Sequence, residues 1–167
     1  MANYLKVVGK KKMSREAIEQ VFAQLNETHF KGLLTYPCHV SEPHDPKTYG
    51  PYVWQLHIGK QWMRVCWLTP RNRWRLSHGG GGGHFTWWVE TLITHTIAKE
   101  FDGFIRDDAD GEREEPAPEK YTTYSMYMDV LLAGASPDTR TNLKMLDQEL
   151  CDPPKEFRID FGEQANT

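Results

Sequence analysis

Hydrophobic and polar residues alternate most regularly between residues 51 and 77. The segments "VWQLHI" and "QWMRVCWL" alternate with a period of two and are separated only by Gly59 and Lys60. This pattern predicts a β-hairpin with a two-residue turn, and a glycine suits the first position of a type II′ turn. The resulting register places apolar residues opposite one another on one face: Tyr52 with Trp67, Trp54 with Val65, and Leu56 with Met63.

The apolar face continues into a third segment. A second tight turn at Pro70 and Arg71 would extend the pairing and again join apolar residues: Trp67 with Trp74 and Val65 with Leu76. A slip of one residue would turn every side chain to the other face. Because two independent turns give the same apolar face, the pattern predicts a three-strand antiparallel meander over about residues 51–77.

The opposite face of the predicted meander is basic. Its members are Gln55, His57, Trp62, Arg64, Cys66, Arg73 and Arg75. Arginines bind phosphates, and aromatic rings such as Trp62 stack on bases, so this face favours a single-stranded nucleic-acid interface. The alternative is structural, with arginines packed on neighbouring side chains across the strands or with an acidic helix covering the face.

Four other segments follow the helical period of about 3.6 residues. Ser14 is a predicted N-cap for the first helix, which ends near Asn26. The second runs from Phe85 to Phe101, and Trp87 lies nearly opposite its apolar stripe. The other two have these apolar stripes: Tyr124, Tyr127, Met128, Leu131 and Leu132 before Gly134, and Leu143, Leu146 and Leu150 after the N-cap Ser136.

Short strands complete the prediction. We expect a first strand at Tyr4–Val8, another from Gly32 to Val40, an edge strand in "FIRDD" and a last strand in "FRIDF". Together these elements predict an α+β fold in which helices pack on one face of an antiparallel sheet. The length of 167 residues fits one domain over residues 1–167, with a frayed tail at about 162–167.

Charge is divided unevenly along the chain. The net charge is −3, but residues 1–85 hold 12 basic and 5 acidic side chains, whereas residues 86–167 hold 8 and 18. The two halves either neutralise each other within one fold or present separate faces to different partners. The three cysteines, odd in number and widely spaced, favour a reducing compartment without disulfides. No run approaches the ~18 apolar residues of a membrane span, and "MANYLKVVGKKK" lacks a signal-peptide core, so we expect a cytoplasmic protein without a membrane partner.

Five consecutive glycines, residues 79–83, stand between His78 and His84. A glycine-rich loop before a helix can bind an anion through free N–H groups and the helix dipole. No Gly-Lys-Ser/Thr follows the run, however, and five glycines are costly to order. We therefore interpret it as a slack connector from sheet to helix, with an anion site or a mobile flap as alternatives.

No catalytic or metal signature stands out in the sequence. Two histidines do not make a zinc site, and "DDADGE" lacks the bidentate carboxylate of a calcium loop. No Gly-x-Ser-x-Gly motif occurs, and no cysteine has a recognisable catalytic context. We therefore name no catalytic residue and expect no metal and no cofactor.

Three hypotheses about function remain. The first is a small non-enzymatic interaction protein of the immunity or inhibitor kind, which binds a basic partner protein and uses the exposed Trp87 as an anchor. The second is a binder of single-stranded nucleic acid through the basic face described above. The third is an enzyme with a site near the glycine run, in which His78 or His84 acts as acid or base.

Overall fold

A computed structural model describes residues 4–11, 13–40, 52–68, 73–78, 83–107 and 111–162. For Tyr4, Trp67, Leu68, Asp107 and residues 73–78 it describes the backbone alone. The fold is α+β, with helices packed on an antiparallel sheet, as the sequence predicts. The predicted frayed tail lies outside the described residues except for Gly162.

Within the described residues, six strands precede helix α2 and two follow it. The strands are β1 Tyr4–Val8, β2 Leu34–Thr35, β3 Cys38–Val40, β4 Tyr52–Ile58, β5 Gln61–Leu68, β6 Arg73–His78, β7 Phe104–Asp107 and β8 Arg113–Glu114. The helices are α1 Arg15–Thr28, α2 His84–Glu100, α3 Tyr124–Leu131 and α4 Pro137–Cys151, with short 3₁₀ turns at Pro118–Tyr121 and Lys155–Phe157.

The predicted meander forms the middle of the sheet. The strand order is β2-β4-β5-β6-β1-β7-β8, with β3 also paired to β4. Ile58 pairs with Gln61 across the two-residue turn, and Gly59 has the positive φ of 59° that this turn requires. The predicted pairs continue into β6, where Trp67 lies opposite Trp74. The predicted turn at Pro70 and Arg71 lies outside the described residues.

Helix α1 packs on the apolar face of this sheet. The Ser14 hydroxyl caps the helix by accepting the Ala17 N–H at 3.1 Å, as predicted. The predicted stripe is buried throughout: Ile18, Val21, Phe22 and Leu25. The indole N–H of the buried Trp54 donates to Glu19 Oε1 at 3.1 Å, so the helix is joined to β4 by a hydrogen bond as well as by apolar contact.

Helix α2 is buried on nearly every side. It contacts four strands of the sheet and also the other three helices, which is why its burial shows no single apolar stripe. Polar side chains are therefore enclosed with it: Thr86, Glu90, Thr94 and His95. Burial raises the pKa of Glu90 to about 8 and lowers the pKa of His95 to about 4. The neutral His95 ring accepts the Ala117 N–H at 2.9 Å and so holds the chain leading into the first 3₁₀ turn.

Several predicted strands need correction. The strand expected from Gly32 to Val40 is divided into β2 and β3 around Pro37, which has no N–H to donate to a ladder. The strand expected in "FRIDF" is absent from the described residues; a 3₁₀ turn ends at Phe157, and the Ile159 N–H donates to the Gln148 side chain on α4 instead of to a strand. β7 is not an edge strand, because β8 pairs with it.

Helix α4 also differs from its prediction. Its N-cap is Ser136, as expected, and its hydroxyl accepts the Thr139 N–H at 3.3 Å. Its leucine stripe, however, faces solvent: Leu143, Leu146 and Leu150. The buried side of the helix carries Asp147 and Cys151. Within the part of the chain that the structure describes, no helix is both long enough and apolar enough to span a bilayer.

The buried Glu90 predicts a specific pH dependence of stability. Its folded-state pKa lies above the ordinary 4.5, so the native carboxyl keeps a proton that the unfolded chain has lost, and stability falls as pH rises from 4.5 to about 8. Glu90→Gln cannot ionise. Its free energy of unfolding should match the parent near pH 4.5 and exceed it by up to about 4 kcal/mol at pH 8.

Urea unfolding at several pH values measures this difference. Glu100→Gln is the matched control, because Glu100 lies on the same helix and is exposed, and its pH profile should follow that of the parent. Parallel profiles for Glu90→Gln and the parent would show that the Glu90 carboxyl is ionised in the folded protein.

Candidate functional site

The polar face of the meander brings three of the predicted site residues together. Trp62 and Arg64 are exposed on β5, while Met63 and Val65 beside them are buried under the helices. His57 is exposed on β4 and lies directly opposite Trp62. We call this side of the sheet, away from α1 and α2, the polar face.

The register extends the polar face beyond the meander as a line of basic residues. Arg75 on β6 pairs with Lys6 on β1, Lys6 pairs with Arg106 on β7, and Arg106 pairs with Arg113 on β8. Directly paired residues share a face of a sheet. Arg106 and Arg113 are exposed and Lys6 is half-buried. This basic line therefore crosses four neighbouring strands, β6, β1, β7 and β8.

Three of the predicted site residues are placed by their backbone alone. Arg73 on β6 pairs with Leu68 and with Val8, and Arg75 belongs to the basic line. His78 pairs with Met63, a register position of the apolar face. The register thus groups Arg73 and Arg75 with the polar face and separates His78 from it.

Aromatic rings accompany the cations of the polar face. Trp62 is 41% exposed, and the neighbouring strand contributes His57. At the far end of the sheet, the Arg113 guanidinium lies 4.2 Å from the centroid of the half-buried Phe104 ring. The face therefore presents an open indole at one end and a ring already stacked with arginine at the other.

His84, another predicted site residue, begins α2 and is joined to α4. Its Nδ1 lies 2.5 Å from Asp147 Oδ1, and Asp147 is almost fully buried. The Trp87 ring lies edge-on to the imidazole at 4.9 Å between centroids. Trp87 is 36% exposed, which agrees with its position off the apolar stripe. The carboxylate orients the His84 ring, so its Nε2 is the nitrogen that remains at the partly exposed edge of the protein.

Cys151 completes this cluster at the start of α2. Its thiol donates to Asp147 Oδ1 at 3.4 Å, and its sulfur accepts from the backbone N–H groups of His84 and Phe85. Gly83, the N-cap, has no side chain to accept those N–H groups, and a Cβ there would lie 2.0 Å from the Cys151 sulfur. The sulfur therefore takes the place of a capping side chain.

The chemistry open to this cluster is limited. Burial raises the pKa of the Cys151 thiol, and Asp147 raises it further, so the thiol stays protonated and is a poor nucleophile. The contacts of the His84 ring are with Asp147 and Trp87. Over the described ranges of the chain, no group of three or more His, Cys, Asp or Glu side chains is placed to hold a metal ion. The cluster fixes the start of α2 and joins the His84 ring to α4 through Asp147.

The last residue of the glycine run, Gly83, is closely packed. Gly79 to Gly82 lie outside the described residues, so the predicted connector is not described there. Gly83, by contrast, packs against Cys151 with no room for a Cβ. The interpretation of the whole run as slack is therefore wrong at Gly83, where close packing requires a glycine.

A second surface lies on the solvent side of α4. The exposed leucines Leu143, Leu146 and Leu150 follow one another at spacings of three and four residues, so they share one side of the helix. At about 100° per residue, the exposed carboxylates of Asp138 and Glu149 lie beside Leu146, at the border of this side of the helix. We call this the α4 apolar face.

Some site residues are not apparent from the sequence. The alternation of Lys6 and Arg106 with apolar neighbours is visible in the sequence. The pairing of β1 with both β6 and β7 is not. Asp147 and Cys151 share a helix side at i and i+4, yet nothing local shows that this side meets His84. Comparison with known protein families, with curated proteins and with solved structures finds no match to this chain.

The close contact between Gly83 and Cys151 can be tested by a double-mutant cycle. Gly83→Ala introduces a Cβ where the sulfur lies and should destabilise the fold by about 1–3 kcal/mol, the usual cost of overpacking. In a Cys151→Ala background the sulfur is gone and the same substitution should cost much less. Denaturant unfolding of the four proteins gives the coupling, and equal costs in both backgrounds would contradict the contact.

Proposed function

We propose that this protein binds single-stranded nucleic acid on the polar face of its sheet. The observation that carries the proposal is the basic line from Arg75 through Lys6 and Arg106 to Arg113, placed in register across four strands. Neighbouring strands lie about 4.8 Å apart, so this line is about 14 Å long, and Arg64 extends the charge onto β5. That length suits several phosphates of an extended strand.

Phosphates and bases have separate partners in this proposal. The exposed guanidinium groups of Arg64 and Arg106 bind phosphates, because arginine donates several hydrogen bonds to phosphate oxygens. Arg113 contributes less, because its Nε already donates to Glu115 Oε1 at 2.8 Å. The exposed ring of Trp62 stacks on a base, and His57 beside it offers a second surface. Stacking is tolerant of base identity, so we expect little sequence preference.

A net charge of −3 is compatible with this proposal because the charge is segregated. The local potential over a surface depends on the charges near it and is screened within about 10 Å at 0.1 M salt. The exposed carboxylates Asp138 and Glu149 belong to α4, whereas the helices that contact the sheet lie on its apolar face. On the polar side, Glu115 is bonded to Arg113, so we expect Arg64 and Arg106 to govern binding there.

Oligonucleotide binding at several salt concentrations tests the proposal. Arg64→Gln and Arg106→Gln should each weaken binding of a fluorescent twelve-nucleotide strand and reduce the salt slope by about 0.7. Trp62→Ala should weaken binding by about 5- to 150-fold with little change in that slope. Lys155→Gln, on the helical side, is the matched control and should bind as the parent does. An unmodified protein that binds no oligonucleotide at 50 mM salt would overturn the proposal.

The α4 apolar face favours a second function, in which this protein binds and masks a partner protein as an immunity or inhibitor protein does. Leu150 is 76% exposed and Leu146 is 51% exposed, although large apolar residues in a row on one helix side usually contact something. The one lysine of α4, Lys144, is turned inward and bonded to Asp129 at 2.6 Å. The face is thus apolar and negative, and it suits a basic partner.

Substitution of the exposed leucines tests the second function. Leu146→Ser combined with Leu150→Ser should abolish capture of a basic protein from the native host, without lowering stability, since both side chains are exposed. Val40→Ser, which removes an equally exposed side chain from the sheet, is the control and should retain the partner. Sedimentation tests whether a second copy of the chain covers this face instead. If the parent is a dimer and the two leucine substitutions make it a monomer, the α4 apolar face mediates self-association and the partner hypothesis is wrong.

A further inference from the structure

The stacking residue and the basic line of the polar face lie at different levels of the sheet. Trp62, Arg64 and Cys66 occupy alternate positions of β5, and the basic line meets β5 at the level of Cys66, which pairs with Arg75. At about 3.4 Å per residue, Trp62 lies about 14 Å along the strand from that level. A ligand that contacts both must therefore cross the sheet obliquely.

Arg64 lies on the route between Trp62 and the basic line. It is exposed, and it lies about 7 Å from Trp62 along β5. Among the described side chains of β4 and β5, it is the one lysine or arginine of the polar face. Its partners across the strands, Gln55 on β4 and Ser77 on β6, are uncharged. Arg64 therefore marks where a phosphate chain passes from Trp62 to the basic line.

The polar face ends just beyond Trp62. The two-residue turn that joins β4 to β5 follows after one more pair of residues. Its lysine, Lys60, is bonded to Asp152 at 3.3 Å, and Asp152 also accepts from Arg158 at 2.7 Å. A phosphate chain that continued past Trp62 would meet these ion pairs instead of a further strand.

Acidic residues on β8 bound the other end of the path. Residues 112–115 have the sequence "EREE", and all four are exposed. Arg113 lies on the polar face, but its Nε donates to Glu115 Oε1 at 2.8 Å. Three carboxylates and one guanidinium give this edge a negative charge, which repels phosphates at short range. Arg106 on β7 is therefore the last cation of the line before a repulsive edge.

The distance between the two ends sets the length of the ligand. Trp62 and Arg106 are three strands apart, about 14 Å, and about 14 Å apart along the strands, so the oblique path is about 20 Å long. An extended single strand covers up to about twice the 3.4 Å per nucleotide of a duplex strand. The path therefore holds about four nucleotides, at the lower end of the range for single-strand binding surfaces.

We propose that the polar face binds a short unpaired stretch of about four nucleotides, held obliquely between Trp62 and Arg106. This inference rests on the proposed function and specifies its ligand: a tail, a gap or a loop fits the site, whereas a duplex does not. In a duplex, both faces of each internal base are covered by neighbouring bases, so the Trp62 ring has no base to stack on.

A length series of oligothymidylates measures the length of the site. In fluorescence anisotropy at low salt, affinity should rise steeply from two to four nucleotides. From four to twelve it should rise by no more than about ninefold, because a four-nucleotide stretch has about nine positions on the longest strand. A plateau at two nucleotides or a steep rise beyond six would overturn the inference and leave the proposed function intact. A twelve-nucleotide strand that does not bind would overturn both.

A duplex of twelve base pairs tests the requirement for unpaired bases. It should bind at least about tenfold more weakly than the single strand of the same length, because it offers no open base to Trp62. Equal binding of the duplex and the single strand would overturn this requirement.

Two substitutions measured with the four-nucleotide strand test the oblique path. So short a strand reaches both ends only if it runs from Trp62 to Arg106, so Trp62→Ala and Arg106→Gln should each weaken its binding several-fold. A strand that lay along the basic line alone would be insensitive to Trp62→Ala, and that result would overturn the oblique path.

Glu115→Gln tests the acidic boundary. The substitution removes the carboxylate partner of Arg113, so the path gains a cation at its end. At physiological salt, affinity should rise about threefold for a six-nucleotide strand and clearly less for the four-nucleotide strand, whose phosphates stop at Arg106. Glu27→Gln, on the exposed side of α1, is the matched control and should change neither affinity. No gain with six nucleotides, or an equal gain with both strands, would overturn the boundary.

Discussion

The two-residue turn at Gly59 and Lys60 is the constraint on which the arrangement of the molecule depends. It sets the register of β4 against β5, and because the side-chain period of a strand is two, it decides which residues face the helices. The same turn contacts the far end of the chain: a Cβ on Gly59 would lie 2.7 Å from Pro154. The next residue, Gln61, donates to the Cys151 carbonyl at 2.8 Å and accepts from the Thr86 hydroxyl at 3.1 Å. One turn thus fixes the sheet register and the positions of α2 and α4 together.

Charge segregation follows from that register and only in part from the order of residues along the chain. The first half of the sequence is basic and the second acidic, yet Arg106 and Arg113 come from the acidic half. They reach the polar face because β1 is inserted between β6 and β7 and carries Lys6 into line with them. The basic line is therefore a product of topology. Composition alone underestimates it, since pI and net charge average the polar face with the helices on the other side of the sheet.

Local chemistry was sufficient to predict the meander, the first helix and the exposure of Trp87. A glycine with positive φ, a serine N-cap and a clear period each act within a few residues, so their consequences can be derived from short segments. The role of each glycine in the run before α2 could not be derived from the short segment around it. Gly83 looks like its four neighbours in sequence, and what distinguishes it is a sulfur from a residue 68 positions later.

The strand divided at Pro37 has a local cause, but two other incorrect predictions depend on contacts between distant parts of the chain. Leu143 and Leu146 show a helical stripe, but α4 docks through its other side, which carries Asp147 and Cys151. "FRIDF" alternates like a strand, yet the Gln148 side chain on α4 binds the backbone of its Ile159. The spacing of apolar residues shows that they share a side of a helix or strand. It does not show which side is buried, because that depends on the other elements of the fold.

Helix α2 contributes residues both to the His84 cluster and to a cavity beside the start of α3. The adjacent residues Trp87 and Trp88 point to different surroundings: the first contacts the His84 ring at the surface, and the second lines the cavity. Neighbouring helical positions lie about 100° apart, so the two adjacent tryptophans face different surroundings. Because α2 begins with a glycine, its first turn is held by Cys151 and Asp147 from α4. The position of His84 is therefore not an intrinsic property of its helix, because it depends on the docking of α4, which supplies Asp147 to the His84 ring.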